Sequence, residues 1–299
     1  MRNDSLNDDF SNASEAPAWT RLLGRISRST PYFKGKWRIM DRIFHRWFIN
    51  KRLRDDVQLN PSTIVACDLW DEVSFGIWWG GETYEIRETP YFKSLLKPSS
   101  VVFDIGANVG YYSLVAAPLV GSTGRVYAFE PASRQFASLK KNASRNGFTQ
   151  ILPNKLALAD KPGEAVLYQE DEFNTGSASL HHTGPNNTKG EMVTLTTLDD
   201  FVEPLKLDRL DVIKVDVEGY ELAVLNGGRK TLEEFHPTLL VEVKELHQRQ
   251  AGFSRKELFD WFTARNYMPF RIKPGALLTP INEPEDGNLI VFRHVPQAG

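Results

Sequence analysis

The sequence VVFDIGANVGYYSLVAAPLVGSTGRVYAFEP, residues 101–131, decides the fold of this chain. Residues 101–105 form a short apolar run with β-branched side chains, which is typical of a parallel strand covered on both faces. Gly106 permits a sharp turn after this strand, and Gly110 leaves room for a ligand at the start of a helix over residues 111–120. The stretch therefore predicts the first half of a nucleotide-binding βαβ unit.

A carboxylate ends the second strand of this unit. The strand is predicted over residues 125–129, Glu130 closes it, and Pro131 cannot extend the ladder. Glu130 comes about 20 residues after Gly110, where a carboxylate in such a fold takes both hydroxyls of a ribose. Glu130 is therefore predicted to bind the ribose of the ligand.

The spacing of the glycines indicates which ligand this is. A dinucleotide-binding turn has the pattern G-x-G-x-x-G, in which the second glycine lets a pyrophosphate approach. Here that position holds Asn108, and the pattern is D-x-G-x-x-x-G with Asp104 at its start. An acidic residue at the turn suits a ligand with an ammonium group better than one with two phosphates. S-adenosylmethionine (SAM) has such a tail and a ribose; the alternative is an ordinary α/β turn with incidental glycines.

The composition excludes several classes of protein. At 299 residues with 41% hydrophobic content, the chain can form one large α/β domain with an appendage, or two small domains. The formal net charge of -2 gives no support for a nucleic-acid partner. The single cysteine, Cys67, excludes an internal disulfide and fits a reducing compartment. Because the N-terminus is unlike a secretory signal and no apolar run reaches about 18 residues, a cytoplasmic location is expected.

Changes in composition predict four regions. Residues 1–18 are expected to be a disordered tail, residues 19–60 a basic amphipathic helical extension, residues 61–97 a β-hairpin lead-in, and residues 98–299 the main domain. Two interpretations of residues 19–56 compete. The segment packs on the main domain or on a second subunit as a homodimer, or it contacts an anionic membrane surface or an acidic partner, which would make the protein membrane-peripheral.

The lead-in is expected to consist of strands. Residues 63–69 and 73–79 have β-forming composition. The pair Gly80-Gly81 separates the second of these runs from a third over residues 83–86 and is a hairpin signal.

A third strand of the main domain is predicted over residues 151–158. Its exit, beginning at Ala157, would lie beside Glu130 in a doubly wound sheet and border the adenine, because ligands in such sheets sit at the carboxyl ends of the strands. Ala157 is therefore a candidate cofactor-binding residue.

A long polar loop follows. Residues 164–169 and 191–196 are strand-like and enclose about 20 residues that include His181 and His182. Loops of this length are usually functional lids or disordered. Adjacent residues of an extended segment point to opposite faces, so at most one of the two histidines is expected to face a site.

Two further strands bring carboxylates to the same edge of the sheet. Residues 212–215 form an apolar run that ends in Asp216, and residues 239–243 form another with Glu242 near its end. Lys214 lies inside the first run and needs a partner, since an unpaired buried ammonium is costly. Asp216 or Glu242 could supply the negative charge.

The last part of the chain is predicted to close the fold. Residues 254–265 have the pattern of an amphipathic helix, and residues 268–272 with 289–292 that of an antiparallel pair.

The motifs together resemble the FkbM family of SAM-dependent methyltransferases, from about residue 73 to 245. The matching segments are DIGANVGYYSL, AFEP, TLDDF at residues 197–201 and KVDVEGYE at residues 214–221. The resemblance implies an α/β class I methyltransferase (Rossmann-like) fold, with a seven-stranded, mostly parallel sheet that has one antiparallel strand and helices on both faces. It also implies SAM as methyl donor and a hydroxyl acceptor on a sugar, glycan or polyketide-type metabolite.

The resemblance also implies roles for individual residues. Asp216 would lie near the donor methyl group. The residues that would hold SAM are Asp104, Gly106, Asn108, Gly110 and Glu130.

The reaction needs a residue that removes the proton of the acceptor hydroxyl. The candidates are Asp216, Glu242 and His182, and Asp216 is preferred because its place at a strand end sets it next to SAM. The alternative for Asp216 is a purely structural role as partner of Lys214. No metal site is predicted; the alternative is a divalent cation held by Asp216 and Glu242.

Two other classes of function remain open. An NAD-dependent oxidoreductase would use the same fold and Glu130, although the dinucleotide glycine pattern is missing. A non-catalytic SAM-binding or membrane-associated scaffold would keep Glu130 and need none of the carboxylates of the later strands.

Overall fold

A computed structural model describes residues 13–169, 178–180 and 189–296 of the chain. The described residues fall into two compact units, one of residues 13–84 and one of residues 85–296. Residues 1–12 of the predicted tail and both histidines of the long loop, His181 and His182, lie outside the described residues.

The N-terminal unit combines helices with a small sheet. Its sheet has the order β1-β2-β3, with β1 parallel and β3 antiparallel to β2. A π-helical turn and a short 3-10 turn complete the unit. The elements are β1 (Ser14–Glu15), α1 (Ala18–Ser29), α2 (Lys36–Ile43), the π turn Phe44–Phe48, β2 (Leu53–Asn60), β3 (Thr63–Asp68), α3 (Glu72–Gly80) and the 3-10 turn Gly81–Thr83.

Aromatic rings form the core of this unit. The ring of Phe75 lies 4.8 Å from that of Phe48 and 5.1 Å from that of Trp78, measured between centroids, and all three residues are buried. Helix α1 approaches Trp78 through Gly24, where an added Cβ would come within 2.6 Å of the indole ring. Ser27 donates a hydrogen bond to the carbonyl oxygen of Trp79 at 2.8 Å.

Two predictions for this region are wrong. Residues 73–79 form helix α3 instead of a strand, and the hairpin consists of β2 and β3. Every residue of α3 from Ser74 to Gly80 is buried, so the helix is apolar on all sides and lacks the 3.6-residue pattern that would distinguish it from a strand. Its helical start is marked by Asp71, whose side chain accepts a hydrogen bond from the backbone of Ser74. Within the tail predicted to be disordered, Ser14–Glu15 pairs with β2.

The second unit contains the remaining elements. None of the helices in the described part of the chain is long and apolar enough to cross a membrane. The helices are α4 (Glu88–Leu95), α5 (Tyr111–Val120), α6 (Ser133–Arg145), α7 (Leu198–Val202), the 3-10 turn Glu203–Leu205, α8 (Glu221–Asn226), α9 (Arg229–Phe235), α10 (Glu245–Gln250) and α11 (Arg255–Thr263). The strands are β4 (Val101–Ile105), β5 (Arg125–Phe129), β6 (Ile151–Asn154), β7 (Ala157–Leu158), β8 (Gly163–Gln169), β9 (Ala178–Ser179), β10 (Lys189–Thr196), β11 (Val212–Val215), β12 (Thr238–Val243), β13 (Tyr267–Lys273), β14 (Leu277–Pro280) and β15 (Gly287–His294).

The main sheet confirms the predicted fold class. Its eight strands have the order β14-β13-β15-β12-β11-β4-β5-β6, and the five from β12 to β6 are parallel. Strand β15 is antiparallel to both β12 and β13, as predicted for the closing pair. The sheet has one strand more than the seven predicted, because β14 adds an antiparallel edge to β13.

A second sheet has the order β7-β10-β8-β9. It corrects the prediction of one strand over residues 151–158. That segment divides into β6 in the main sheet and β7, which pairs in parallel with the end of β10 through Ala157 and Leu195.

The strand order of the main sheet reverses between β4 and β11, which are adjacent and parallel. From β4 the chain runs outward through β5 to β6, whereas from β11 it runs the opposite way to β12. Since parallel crossovers are right-handed, the two series place their helices on opposite faces of the sheet. A crevice opens at such a reversal, above the carboxyl ends of β4 and β11. The candidate site is therefore expected there.

The core lies along the same strands. Phe103, Ile213 and Leu239 on three adjacent parallel strands are each at most 1% exposed. The ring of Phe201 packs edge-on against Phe129 with centroids 4.7 Å apart.

Gly227 fixes the end of α8 against the turn that follows β7. An added Cβ would lie 2.0 Å from the carbonyl oxygen of Ala159, whereas the backbone of Gly227 has an ordinary φ of -76°. We expect Gly227→Ala to lower the free energy of unfolding by about 3 kcal/mol through overpacking. Chemical denaturation measures this loss.

Gly147→Ala is the matched control. Gly147 has a φ of +66° and no neighbouring atom within 4 Å of an added Cβ, so its loss is limited to the conformational cost of about 1 kcal/mol. Equal losses in the two variants would contradict the steric contact.

Candidate functional site

The glycine turn after β4 is held between two neighbouring strands. The backbone N–H groups of Gly106 and Ala107 donate to the carbonyl oxygen of Phe129, at 3.0 and 2.9 Å. Gly106 has a φ of +75°, and an added Cβ would lie 1.8 Å from the carbonyl oxygen of Asp216. The turn therefore requires glycine at this position, both for its backbone conformation and for its contact with the segment after β11.

Glu130 lies at the end of β5 and is only 6% exposed. One carboxylate oxygen accepts the backbone N–H of Asn108 at 2.8 Å, and the other accepts that of Ala132 at 2.9 Å. Burial raises the pKa of Glu130 to about 7, although these two hydrogen bonds oppose the rise. Each oxygen has a further lone pair, so the carboxylate can accept two more hydrogen bonds, as from the two hydroxyls of a ribose.

Asp104 is directed into the protein. Its Oδ2 accepts hydrogen bonds from the backbone N–H of Ser113 at 3.0 Å and from the hydroxyl of Ser113 at 2.6 Å. Its Oδ1 is buried, receives no hydrogen bond within the described residues, and lies 3.8 Å from Nζ of Lys214. Burial raises the pKa of Asp104, and the charge of Lys214 opposes the rise.

Lys214 joins the ends of β4 and β11. Its Nζ donates to the carbonyl oxygen of Gly106 at 2.9 Å and lies 3.3 Å from Oδ2 of Asp216. Burial lowers the pKa of Lys214, but the charges of Asp216 and Asp104 outweigh it, and the pKa rises above its ordinary value. Of the two partners that the sequence left open for Lys214, the structure places Asp216 in contact with it. The Asp216 side chain is 32% exposed, so a ligand can reach it.

A second charged group lies at the end of β12. Nζ of Lys244 is 2.5 Å from Oε1 of Glu242, and Nδ1 of His247 is 3.9 Å from Oε2 of the same carboxylate. Glu218 contacts Nδ1 of His247 at 2.5 Å. Burial, reinforced by the charges of Asp216 and Glu218, raises the pKa of Glu242 well above its usual range. The contact of Nδ1 with the Glu218 carboxylate raises the pKa of His247.

The turn after β11 positions Glu218. Glu218 and Gly219 have φ values of +52° and +103°, and an added Cβ on Gly219 would lie 2.3 Å from the carbonyl oxygen of His247. Glu221 accepts the backbone N–H groups of Val217 and Gly219 at 3.2 and 3.1 Å through one carboxylate oxygen. Glu221 therefore stabilises the turn that brings Glu218 to His247.

The group also has the donor atoms for a metal ion. One ligand atom each from Glu218, Glu242 and His247 lies within 4.8 Å of the others. Two carboxylates and an imidazole suit a divalent transition metal. The ammonium of Lys244 already supplies positive charge to Glu242, so a cation would have to compete with it.

The structure brings most of the predicted residues to one rim. Asp104, Gly106 and Asp216 meet around Lys214, and Glu130 contacts Asn108. Gly110 lies at the start of α5 with a φ of +93°. Ala157 is buried in the second sheet and packs in a small apolar cluster with Ala132. His182 lies outside the described residues and stays a prediction.

Three residues of this rim were not predicted from the sequence as site residues. His247 and Glu218 come from segments that only the fold brings together. Glu85 accepts a hydrogen bond from the hydroxyl of Tyr112, and burial raises the pKa of Glu85 to about 7. The E-G pair at residues 218–219, a charged residue before a glycine at a strand end, is the one signal that could have indicated Glu218.

Glu221 makes folding stability depend on pH. Glu221 is 1% exposed, and burial raises its pKa from 4.5 to about 7, although hydrogen bonds from backbone N–H groups oppose the rise. Because the pKa is higher in the folded state, its contribution to stability is full below pH 4.5 and is lost as the pH rises through 7. Glu221→Gln keeps an acceptor oxygen but cannot ionise, so the stability of the variant does not fall as the pH rises through 7. We expect the stability of the variant relative to the wild type to increase by up to about 3 kcal/mol between pH 4.5 and pH 8.

Chemical denaturation at both pH values measures the change. Glu164→Gln, at an exposed position of β8, is the control and should show no such trend. A pH-independent difference for Glu221→Gln would contradict the buried charge.

Comparison with known proteins gives the family. The model of the methyltransferase FkbM domain matches residues 104–269, more than half of the chain. A hexuronic acid methyltransferase, AglP of Haloferax volcanii, is 30% identical over 188 residues, which cover 62% of this chain and 68% of that protein. The 31-O-demethyl-FK506 methyltransferase FkbM of Streptomyces tacrolimicus is 49% identical over 163 residues, 44% of this chain and 60% of that protein.

A solved structure gives a weaker likeness. The crystal structure of the methyltransferase FkbM from Methylobacillus flagellatus has a TM-score of 0.42 and 14% identity, with 87% of this chain and 60% of that chain covered. The chain thus spans about three fifths of the length of this protein and of the Streptomyces relative.

The residues at the glycine turn fit S-adenosyl-L-methionine, the methyl donor of this family. Glu130 has lone pairs for two ribose hydroxyls, and the buried Oδ1 of Asp104 has no hydrogen-bond donor among the described residues. Gly106 keeps the turn open, because any larger residue would collide with the segment after β11. With the domain model matching from Asp104 onward, the chain belongs to the FkbM family of SAM-dependent methyltransferases.

Proposed function

We propose that the chain transfers a methyl group from SAM to a hydroxyl group of a sugar, glycan or polyketide-type metabolite. The observation that carries the proposal is the rim of acid and base groups beside the glycine turn, where Asp216 and the Glu218–His247 pair lie at adjacent strand ends. The names of the two relatives support the class of acceptor, since one is a hexuronic acid methyltransferase and the other a 31-O-demethyl-FK506 methyltransferase.

The glycine turn and Glu130 hold the donor in this proposal. When bound, SAM supplies an electrophilic methyl group on a positively charged sulfur. Glu130 accepts the ribose hydroxyls, and the backbone of Gly106, Asn108 and Gly110 shapes the space for the nucleoside. Asp104 keeps the turn in place through Ser113 and Lys214. Ala157 would border the adenine from the second sheet.

Asp216 is the first candidate for the group that takes the hydroxyl proton. Its backbone contacts the glycine turn, and its side chain is partly exposed at the expected crevice. Nζ of Lys214 lies 3.3 Å from Oδ2 of Asp216 and holds the carboxylate at the end of β11. A carboxylate held in this position can act as general base for an acceptor hydroxyl.

His247 is the second candidate, and its contact with Glu218 favours it. The carboxylate contacts Nδ1, which orients the ring and leaves Nε2 for an acceptor hydroxyl. The His247 side chain is 29% exposed. The contact with Glu218 raises the pKa of His247, and a general base works best when its pKa lies near the working pH. Glu242 is buried and held by Lys244, so in this proposal Glu242 positions Lys244 and His247.

Binding of the donor tests the nucleoside site. Glu130→Gln keeps one acceptor oxygen but loses the charge and one hydrogen bond to a ribose hydroxyl. We expect SAM to bind the variant about 10- to 100-fold more weakly in titration calorimetry, as for loss of a hydrogen bond to a charged group. Glu164→Gln is the control and should bind like the wild type. Binding of NAD in place of SAM would favour the oxidoreductase alternative and contradict the proposal.

Methylation of an acceptor tests the chemistry. The acceptors are hexuronic acid glycosides and hydroxylated macrolides, and the product gains the mass of one methylene group. Asp216→Asn should lower kcat by about 10² to 10⁴ while SAM affinity stays nearly unchanged, as for loss of a general base. If His247 is the base, His247→Gln gives that loss instead, and wild-type kcat falls as the pH drops through the pKa of the imidazole.

The outcomes of this assay are distinct. Full activity in Asp216→Asn removes that carboxylate from the mechanism. Full activity in both variants contradicts a base at this rim. Binding of SAM without methylation of any hydroxyl acceptor would favour a non-catalytic SAM-binding scaffold.

A further inference from the structure

Exposed apolar side chains concentrate in the N-terminal unit. Among the described residues, seven of the thirteen exposed large hydrophobic side chains lie between residues 19 and 47. Single exposed apolar residues are normal on protein surfaces, but a concentration of them marks an interaction site. The seven residues are Trp19, Leu22, Ile26, Tyr32, Phe33, Ile39 and Trp47.

Helix α1 has its apolar face turned outward. The residues that it buries are the small or polar Thr20, Gly24 and Ser27. Trp19, Leu22 and Ile26 form a stripe on the other side and are 49%, 57% and 54% exposed. An amphipathic helix in a globular protein normally does the reverse. The apolar residues of α1 are therefore available for a contact outside the unit and do not contribute to its core.

The tryptophan of the next helical segment joins this stripe. Nζ of Lys51 lies 5.9 Å from the ring centroid of Trp19 and 5.8 Å from that of Trp47, so both rings border the same ammonium. Trp47 is 54% exposed. We call the surface of Trp19, Leu22, Ile26, Trp47 and Lys51 the basic aromatic patch.

The segment of the chain that carries the patch is strongly basic. Residues 18–52 contain ten lysine and arginine residues and one acidic residue, Asp41, although the whole chain has a net charge of -2. Some of the ten have structural contacts, since Lys36 donates to the carbonyl oxygen of Ser27, Arg28 to that of Trp78 and Arg21 to that of Ala16. Others are exposed and form no ion pair within the described part of the chain, namely Arg25, Arg38, Arg42 and Arg46.

We infer that the basic aromatic patch docks the protein onto the surface of an anionic lipid bilayer. Tryptophan side chains favour the interface between headgroups and acyl chains, and leucine and isoleucine gain free energy by entering it. The arginine and lysine residues of the same segment pair with anionic headgroups, each strengthening the binding about fivefold near the surface.

Two other occupants fit the patch less well. A second copy of the chain would bring a like-charged surface against this one, which opposes association. A nucleic acid would satisfy the arginines but give the aliphatic Leu22 and Ile26 nothing to bury against, because its contacts are mainly phosphates and polar base edges. A bilayer with anionic headgroups satisfies both the charge and the apolar stripe.

Vesicle flotation of the full chain tests the inference. Wild-type protein should float with phosphatidylcholine vesicles that contain phosphatidylglycerol, and remain unbound with phosphatidylcholine alone. Raising the salt to about 1 M shortens the Debye length to about 3 Å and should release most of the protein. Absence of binding to the anionic vesicles overturns the inference.

Two pairs of variants assign the binding to this patch. Leu22→Ser with Ile26→Ser should lower the partition coefficient at least about tenfold through the lost apolar burial. Arg38→Glu with Arg42→Glu, a change of four unit charges, should lower it by about a hundredfold or more. The matched controls are Met192→Ser with Leu277→Ser, which are 60% and 67% exposed, and Lys97→Glu with Lys141→Glu, which are also exposed.

Each outcome of these experiments either supports or overturns the inference. Loss of binding in the patch variants but not in the controls supports the inference. Equal loss in patch and control variants means that general exposure or net charge governs the binding, and overturns it. A dimer in analytical ultracentrifugation without lipid that Leu22→Ser with Ile26→Ser abolishes would assign the patch to a second copy of the chain. Circular dichroism verifies that every variant is folded.

Discussion

The site depends on the contacts that the ammonium group of Lys214 makes with the glycine turn and with two carboxylates. Lys214 lies in a strand interior, reaches the glycine turn through the carbonyl oxygen of Gly106, and stands between the carboxylates of Asp104 and Asp216. The two carboxylates, one buried and one partly exposed, would repel each other without a positive charge between them. Lys214 therefore makes it possible for strands β4 and β11 to end side by side, each with an acidic residue.

The rest of the rim follows from this junction. Because β12 is the next parallel strand, Glu242 is brought beside the segment that carries Asp216, and the turn between Asp216 and α8 brings Glu218 to His247. The glycine turn and the acid-base groups thus form from successive strand ends of one sheet. The sheet fixes their order, whereas the turns decide which side chains reach the crevice.

Local sequence was enough to predict the strand, turn and helix that carry the candidate donor-binding residues. The strand, glycine turn and helix from Val101 to Val120 are set by neighbouring residues, and Glu130 follows at a fixed spacing, so the pattern is readable without the fold. The Glu218–His247 pair was not predictable, since Glu218 lies on the turn after β11, His247 lies in α10, and the two meet only after β11 and β12 pair. Helix α3 was predicted as a strand because its apolar residues occupy all sides of the helix. The division of residues 151–158 into β6 and β7 was not predicted because it depends on the pairing of β7 with the distant strand β10.

The backbone at Glu218 has a consequence for any attempt to improve this protein. A glutamate at a φ of +52° is held in a conformation that glycine or asparagine adopts more easily, at a cost of about 1 kcal/mol. A library selected for heat resistance alone would drift toward those residues and leave the imidazole of His247 without its carboxylate. If His247 acts as the proposed base, engineering for robustness should screen turnover alongside melting temperature at this turn, because the two properties then favour different amino acids.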